Sequence, residues 1–486
     1  MFGIKRNRSA QITILAAAAL AGILAGRAGL AIDGYIVGVS LALVILSVSR
    51  RIFGKIYRQA RDNRTRGASI FWVLLMTLFM LGIWRGNTTI FAKTALGQHI
   101  GQKVTLAGQL ADDPARSEKN YTVFTIGNAE LEGHKTGQAV RITAPYKELK
   151  RGQRVQVSGK LQANLGSVPA RMFSPVTVLD TRISPLEKWR QRFFAAVHSV
   201  LPEPIAGFGL GLLVGVRALI DKPLQDTLTL VGLSHLVAVS GYNLTIIVRA
   251  VNKAIKRVSL FSATAVSLWL IFGFMLVAGF SASIVRAAIV SVLALMAGYY
   301  GHRVKPMTLI AIPAAVTALY RPSYLTSDLG WQLSFLAFFG ILVLAPLIRD
   351  RFKLSQGFAS QVILESLCAQ LLTFPLIMLI FGQFSIVSPV ANAIIVPLVP
   401  LAMLLTLVAG VVALLVPAVA GIIALPAAGL IGLMLAVIDW LAHFKFSSTS
   451  LSLDPFLTAM TYIWIVVVTA ILARRVTLHR QANSPS

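Results

Sequence analysis

The sequence predicts a polytopic α-helical membrane protein of about twelve transmembrane helices, with a small all-β domain inserted near its N-terminal end. Three observations predict it. Apolar residues make up 56% of the 486 positions and charged ones only 13%, a balance that excludes an ordinary soluble domain. Long apolar runs recur from end to end, separated by basic loops. Between about 90 and 185 those runs shorten to strand length and turn residues return at regular intervals.

Lys5, Arg6 and Arg8 precede an apolar run from Ile12 to Leu24. A second run follows at once with no convincing small-residue cleavage site between, so the first is expected to stay as a helix. Spans are expected at 11–26, 30–49 and 69–84. The loop 50–68 carries seven Lys or Arg against Asp62 alone, which places it and the N-terminus in the cytoplasm. Residues 1–89 thus form a three-helix entry.

In 90–185, Val104–Leu110, Tyr121–Ile126, Ala139–Thr143 and Arg154–Leu161 alternate as strands, with a fifth expected at Val176–Leu179. Five short strands suit a small closed barrel, with the OB-fold leading, on the outer side of the membrane. Residues 99–185 hold twelve Lys or Arg and seven Asp or Glu. Tyr121, Phe124, Tyr146 and Phe173 offer stacking surfaces, and Arg141, Lys147, Arg151, Arg154 and Lys160 offer phosphate contacts, for single-stranded nucleic acid. From this stretch alone, aromatic core and a solvated basic face are the favoured account of the same residues. The net charge of +27 divides the same way, between cytoplasmic loops and an anionic ligand.

Residues 186–204 read as an amphipathic interfacial linker, with Trp189, Phe193, Phe194 and Val197 on one side and Lys188, Arg190 and Arg192 elsewhere on the wheel, ended by Pro202 and Pro204. From 205 to 475 the chain is membrane. The Gly-rich piece 207–215 packs tightly or enters part-way. Spans follow at 226–248, 258–280, 282–301, 306–320, 329–348, 359–381, 386–408, 411–441 (with room for a break at Pro417 or Pro426) and 456–473. Their basic loops and the tail 476–486 then all fall inside.

The chemistry concentrates in polar groups at membrane depth, where lipid offers no hydrogen bonds. Gly232–Val248 carries His235, Ser240, Gly241 and Asn243; other stretches supply Ser281, Arg286, Gln332, Ser334, Glu365, Gln370, Gln383 and Asn392. An unpaired Arg at the bilayer centre costs at least about 2.5–3.5 kcal/mol, so Arg286 should face protein, water or an anion. Helix–helix glue accounts for any one of these residues. Taken together they form a polar path. Ala238–Gly241 superficially resembles a serine-nucleophile motif, but His235 lies five residues before Ser240 and faces poorly, so an intramembrane hydrolase is disfavoured. A small-solute or lipid transporter remains the other alternative. Seven scattered histidines and one cysteine, Cys368, form no metal or cofactor motif.

Gly209–Gly215, Gly232–Gly241, Ser283–Ala288, Gly330–Phe335, Ala369–Gln370, Phe381–Gln383 and Ala391–Asn392 together resemble, in the same order, the signature of the ComEC family of competence proteins. Tyr242 and Asn243 depart from it, standing where many relatives carry Leu-His. The resemblance covers roughly 205–405, and the N-terminal half is similar to the family's three-helix entry and OB-like domain. It implies a channel that takes up single-stranded DNA across the bacterial cytoplasmic membrane in natural transformation. It also implies a DNA receptor and a cytoplasmic motor or helicase as partners. Many members carry a C-terminal metallo-β-lactamase-like domain. With no His-x-His-x-Asp-His cluster here, no enzyme activity is expected, and strand degradation would fall to a separate nuclease.

Overall fold

The computed structural model describes residues 8–30, 63–88, 95–116, 120–164, 168–237, 259–278, 282–302, 304–355, 357–444, 448–450 and 453–482, with isolated positions at 248, 251 and 255. The expected span at 30–49 and the basic loops at 50–62 and 249–257 lie outside these residues, apart from their edges.

The entry helices α1 (Arg8–Arg27) and α2 (Asn63–Thr88) cross at glycine. Gly22 and Gly26 of α1 face the backbone of Phe79 and Ile83, while Gly82 and Gly86 of α2 face that of Ala19 and Ile23. Each helix thus offers a Gly-x-x-x-Gly pair, the spacing that lets two membrane helices touch backbone to backbone.

The β domain is a closed barrel. Its strands are β1 (Lys103–Leu110), β2 (Tyr121–Leu131), β3 (Val140–Pro145), β4 (Arg154–Ala163) and β5 (Ala170–Phe173). They pair in the order β1-β2-β3-β5-β4, and β4 pairs back to β1; β3 and β5 run parallel and the other pairs antiparallel. Leu106, Phe124, Ile126, Ile142, Val155, Leu161 and Met172 fill the interior, each such side chain stabilising by about 1.5–3 kcal/mol. The strand expected at Val176–Leu179 forms, but it is not the one that completes the barrel. β5 closes the ring, and β6 (Val176–Asp180) is an extra strand on β4. Four residues are too few to show a period, although Ala170 and Met172 do point in while Arg171 and Phe173 point out.

Helix α3 (Pro185–Val200) starts on Ser184, whose hydroxyl accepts from Glu187 N at 3.2 Å. Phe193, Phe194 and Val197 are buried as expected. Two positions exchange roles: Trp189 is exposed and Arg190 is buried. The Gly-rich α4 (Ile205–Val214) is buried from Ala206 to its end, as the tight-packing expectation had it.

Among the described residues six helical stretches are long and apolar enough to cross a membrane: 9–27, 329–352, 360–381, 388–415, 417–442 and 455–476. Four shorter apolar helices accompany them, α4, α7 (Leu260–Ala278), α8 (Ala282–Tyr299) and α9 (Pro306–Tyr320). The continuous span expected at 226–248 is corrected, because α5 (Lys222–Leu230) stops and Gly232 turns the chain at φ +74° before one turn of helix, α6 (Ser234–Val237). The stretch 329–352 is α10 (Leu329–Phe339) and α11 (Ala345–Phe352) joined by a π-turn at Gly340–Leu344. After α12 (Phe358–Phe381), the short β7 (Gln383–Ser385) pairs with β8 (Ser448–Ser450). Helix α13 (Ser388–Ile395) then passes through a 3-10 turn at Pro397 into α14 (Val399–Leu415). Helix α15 (Pro417–Ala442) begins at one expected break and runs unbroken through the other, Pro426. Helix α16 is Pro455–Ala482.

Candidate functional site

Three features stand out: two polar knots within the membrane helices, the outer face of the barrel, and the joint between barrel and membrane.

The first knot is held by α8, α9 and α10. Asp328 caps α10, its Oδ1 accepting from Trp331 N at 2.7 Å. The Trp331 indole donates to Thr317 Oγ1 at 2.9 Å and its ring lies 4.4 Å from that of Phe335. Arg286, only 6% exposed on α8, sets its guanidinium 5.3 Å from the Phe335 ring centre. A cation against an aromatic face in a water-poor setting is worth about 2 kcal/mol, which offsets much of the cost of burying it. Gln332 turns away, Nε2 donating to Leu325 O at 3.1 Å, and Ser334 is half-buried on the same helix.

The second knot joins α6 to α13. His235 is exposed, with Nδ1 3.2 Å from Gly232 O. Asn392 is 1% exposed, and its Nδ2 donates to Ser388 O and Oγ at 2.9 and 3.1 Å. Gly232 packs on Ser388 so closely that an added methyl would lie 2.6 Å from Ser388 Oγ. Gly232 opens one of the stretches the sequence marks out and Ser385 closes another, whereas Ser388 was not singled out. Its signal was there, as a small residue beside Pro389, which stands in the first turn of α13.

Glu365 and Gln370 lie apart from both knots. On α12, Glu365 Oε1 accepts from Gln361 Nε2 at 2.7 Å, and Gln370 Nε2 is buried without a hydrogen-bond partner. Gly340 in the π-turn fits against this helix, where a methyl would meet Cys368 O at 2.5 Å. Ser240, Gly241, Asn243 and Ser281 lie outside the described residues, as does the side chain of Gln383.

On the barrel, strand register places Arg141 beside Arg171, and Thr143 beside Phe173. Tyr121 and the 59%-exposed Phe173 meet edge to face at 5.3 Å. Arg141 and Lys160 are exposed on the outer sides of their strands, and Tyr146 is exposed just past β3. Lys147 donates to Val176 O at 3.2 Å, Arg154 pairs with Glu130, and Arg151 is half-buried in the turn before β4. Phe124 is corrected: at 1% exposure it belongs to the core and cannot stack on a base, because it occupies an inward position of β2.

The joint was missed by sequence. Arg190 on α3, 2% exposed, donates from Nη1 to Asp113 Oδ2 at 3.0 Å, and from Nε and Nη2 to Glu187 at 2.9 Å each. Nη2 also meets Asp113 Oδ1, and the Phe194 ring centre lies 4.9 Å from the guanidinium. Burial works against its charge, but the bonds to Asp113 and Glu187 prevail and raise its pKa above the ordinary guanidinium value. Asp113 follows β1, so this cluster ties the barrel to α3. One turn further along α3, Phe193 packs on Gly410 of α14, where a methyl would lie 2.5 Å from the ring. Among the described residues no group of three or more His, Cys, Asp or Glu forms a metal cage.

Residues 212–476, more than half of the chain, match the family described as "Competence protein". The chain belongs to the competence protein family. Over 224 residues it is 31% identical to "ComE operon protein 3" of Bacillus subtilis (strain 168), a stretch that covers 46% of this chain and 28% of that relative's length. No solved structure matches the chain significantly. Both polar knots fall inside the competence-family match and the barrel falls outside it. Arg286, Gln332 and Asn392 thus lie within the matched residues, while the barrel face stands on its own geometry.

Proposed function

We propose that this membrane protein conducts single-stranded DNA across the cytoplasmic membrane during natural transformation. The observation that carries the reading is Arg286, a buried cation held against the Phe335 ring on a helix of the family match, at a depth where lipid would penalise its charge. A polyanion crossing a bilayer needs such a path, with a collecting surface outside it. The barrel supplies that surface. Its strand order, with a parallel pair between β3 and β5, supports the OB-fold, and its basic face with the Tyr121–Phe173 pair fits a stacked, phosphate-bearing strand. In this reading both termini are cytoplasmic, the chain crosses about twelve times, and the barrel lies outside. A DNA receptor, a cytoplasmic motor and a separate nuclease would act with it.

The chain acts as a conduit, not as a hydrolase. His235 Nδ1 sits on the carbonyl of its own turn, a poor position for a general base. Uptake of labelled DNA by cells carrying Arg286→Ala, or lacking 90–185, tests the whole reading. Both strains should express the protein and lose uptake; normal uptake in both would remove it.

A further inference from the structure

The chain break after α5 and the break before α13 meet, and oxygen atoms gather where they meet. Gly232 N and Leu233 N bond back to Thr229 O and Leu228 O at 3.1 and 2.7 Å, so α5 ends its carbonyl ladder at this left-handed turn. The turn lies against Ser388 and Ser385, a methyl at Gly232 falling 3.1 Å from Ser385 Cβ. Asn392 commits its Nδ2 to Ser388. The amide cannot be reversed, since Oδ1 would then oppose the Ser388 carbonyl. Its Oδ1 is buried without a hydrogen-bond partner, and so is Ser385 Oγ, in a side chain 7% exposed. Native interiors rarely leave such atoms unsatisfied.

The atoms present decide what would satisfy them. They are an amide oxygen, two hydroxyls and the carbonyl end of a short helix, all neutral. Calcium and magnesium sites draw on carboxylates, and transition-metal sites on imidazole or thiolate. An anion would meet the Asn392 acceptor and the negative end of α5. The positive end of α13 opposes a cation only weakly, because the carbonyl end of α5 meets it. Neutral oxygens at paired helix breaks in a membrane are the donor set that holds a dehydrated alkali cation. We propose that the Gly232 turn, Ser385, Ser388 and Asn392 bind one monovalent alkali cation, which fastens the two broken segments together.

The test uses the full chain in lipid nanodiscs, melted in choline chloride and in lithium, sodium and potassium chloride at matched concentration. One alkali ion should raise the melting temperature saturably, by at least about 2 °C over choline. Magnesium chloride at matched ionic strength should not reproduce the rise. Asn392→Ala and Ser385→Ala should each abolish the alkali dependence. If Asn392→Ala fails to fold, Ser385→Ala, which loses a single hydroxyl, decides alone. Equal melting of the wild type in choline and every alkali salt overturns the site, as does a rise given by magnesium or one that survives Ser385→Ala. The readout involves no DNA, so its failure leaves the uptake reading untouched.

Discussion

Phe124 and Phe173 are the same residue type on strands of one barrel, and the ring of one is sealed inside while the other stands in the open. That difference fixes what each substitution should do. Phe124→Ala removes a fully enclosed ring and should cost about 3–5 kcal/mol, enough to melt the barrel. Phe173→Ala should leave the melting temperature unchanged. It should weaken binding of a labelled oligonucleotide to the full protein by about 1–3 kcal/mol, read by fluorescence anisotropy. If both variants melt early, Phe173 is a packing residue and the stacking face is lost as an idea. The two rings are equivalent in composition; only strand parity separates them, and parity becomes visible once the strand ends are known. Arg190 shows the opposite limit. A helical wheel puts it on the polar side of α3, and nothing local reveals that Asp113, far back in the chain, arrives to pair with it.

At the scale of elements, the crossing of α1 and α2 depends on the absence of side chains. Gly22 faces the Phe79 carbonyl and Gly82 faces that of Ala19 at distances no methyl can share. Gly22→Leu or Gly82→Leu should therefore drive the helices apart at a cost of about 1–3 kcal/mol or more. A disulfide-trapping pair placed along the crossing should stop forming in either variant, while Gly421→Ala, a helical position with open space at its Cβ, should leave trapping intact. The helices themselves were legible because apolar runs of membrane length have few other fates, and the barrel because alternation survives in strands of six or more residues. The break at Gly232 was not legible. Hydropathy is continuous from Leu228 to Val248, and a glycine inside an apolar run looks alike whether it turns the chain or packs a helix. Gly232 and Asn392 were readable as motif residues, but their meeting was not, since 160 positions of sequence separate them.

At the scale of the whole molecule, the barrel and the membrane core are joined through α3. Its buried Arg190 holds the barrel by Asp113, and its buried Phe193 lies on Gly410 of the core. A collecting surface feeds a path only if it stays over the entrance, so this joint should matter to transport without touching DNA. Arg190→Met keeps the apolar stem, removes the fork, and leaves Glu187 and Asp113 without their cation. A fully buried pair broken this way costs about 3–5 kcal/mol; Asp113 is partly exposed, so the loss here should fall toward the lower end. The outer face of the barrel is unchanged, and the protein should bind single-stranded oligonucleotide as before, with the same slope of affinity against salt. Cleavage by added protease between 110 and 190 should quicken, and uptake of labelled DNA by cells should fall. Arg190→Lys should recover only part of both, because a point charge cannot span two carboxylates as the planar fork does. Unchanged uptake in Arg190→Met, with protease sensitivity increased, would mean that the barrel need not be held in place and collects DNA as a tethered module instead.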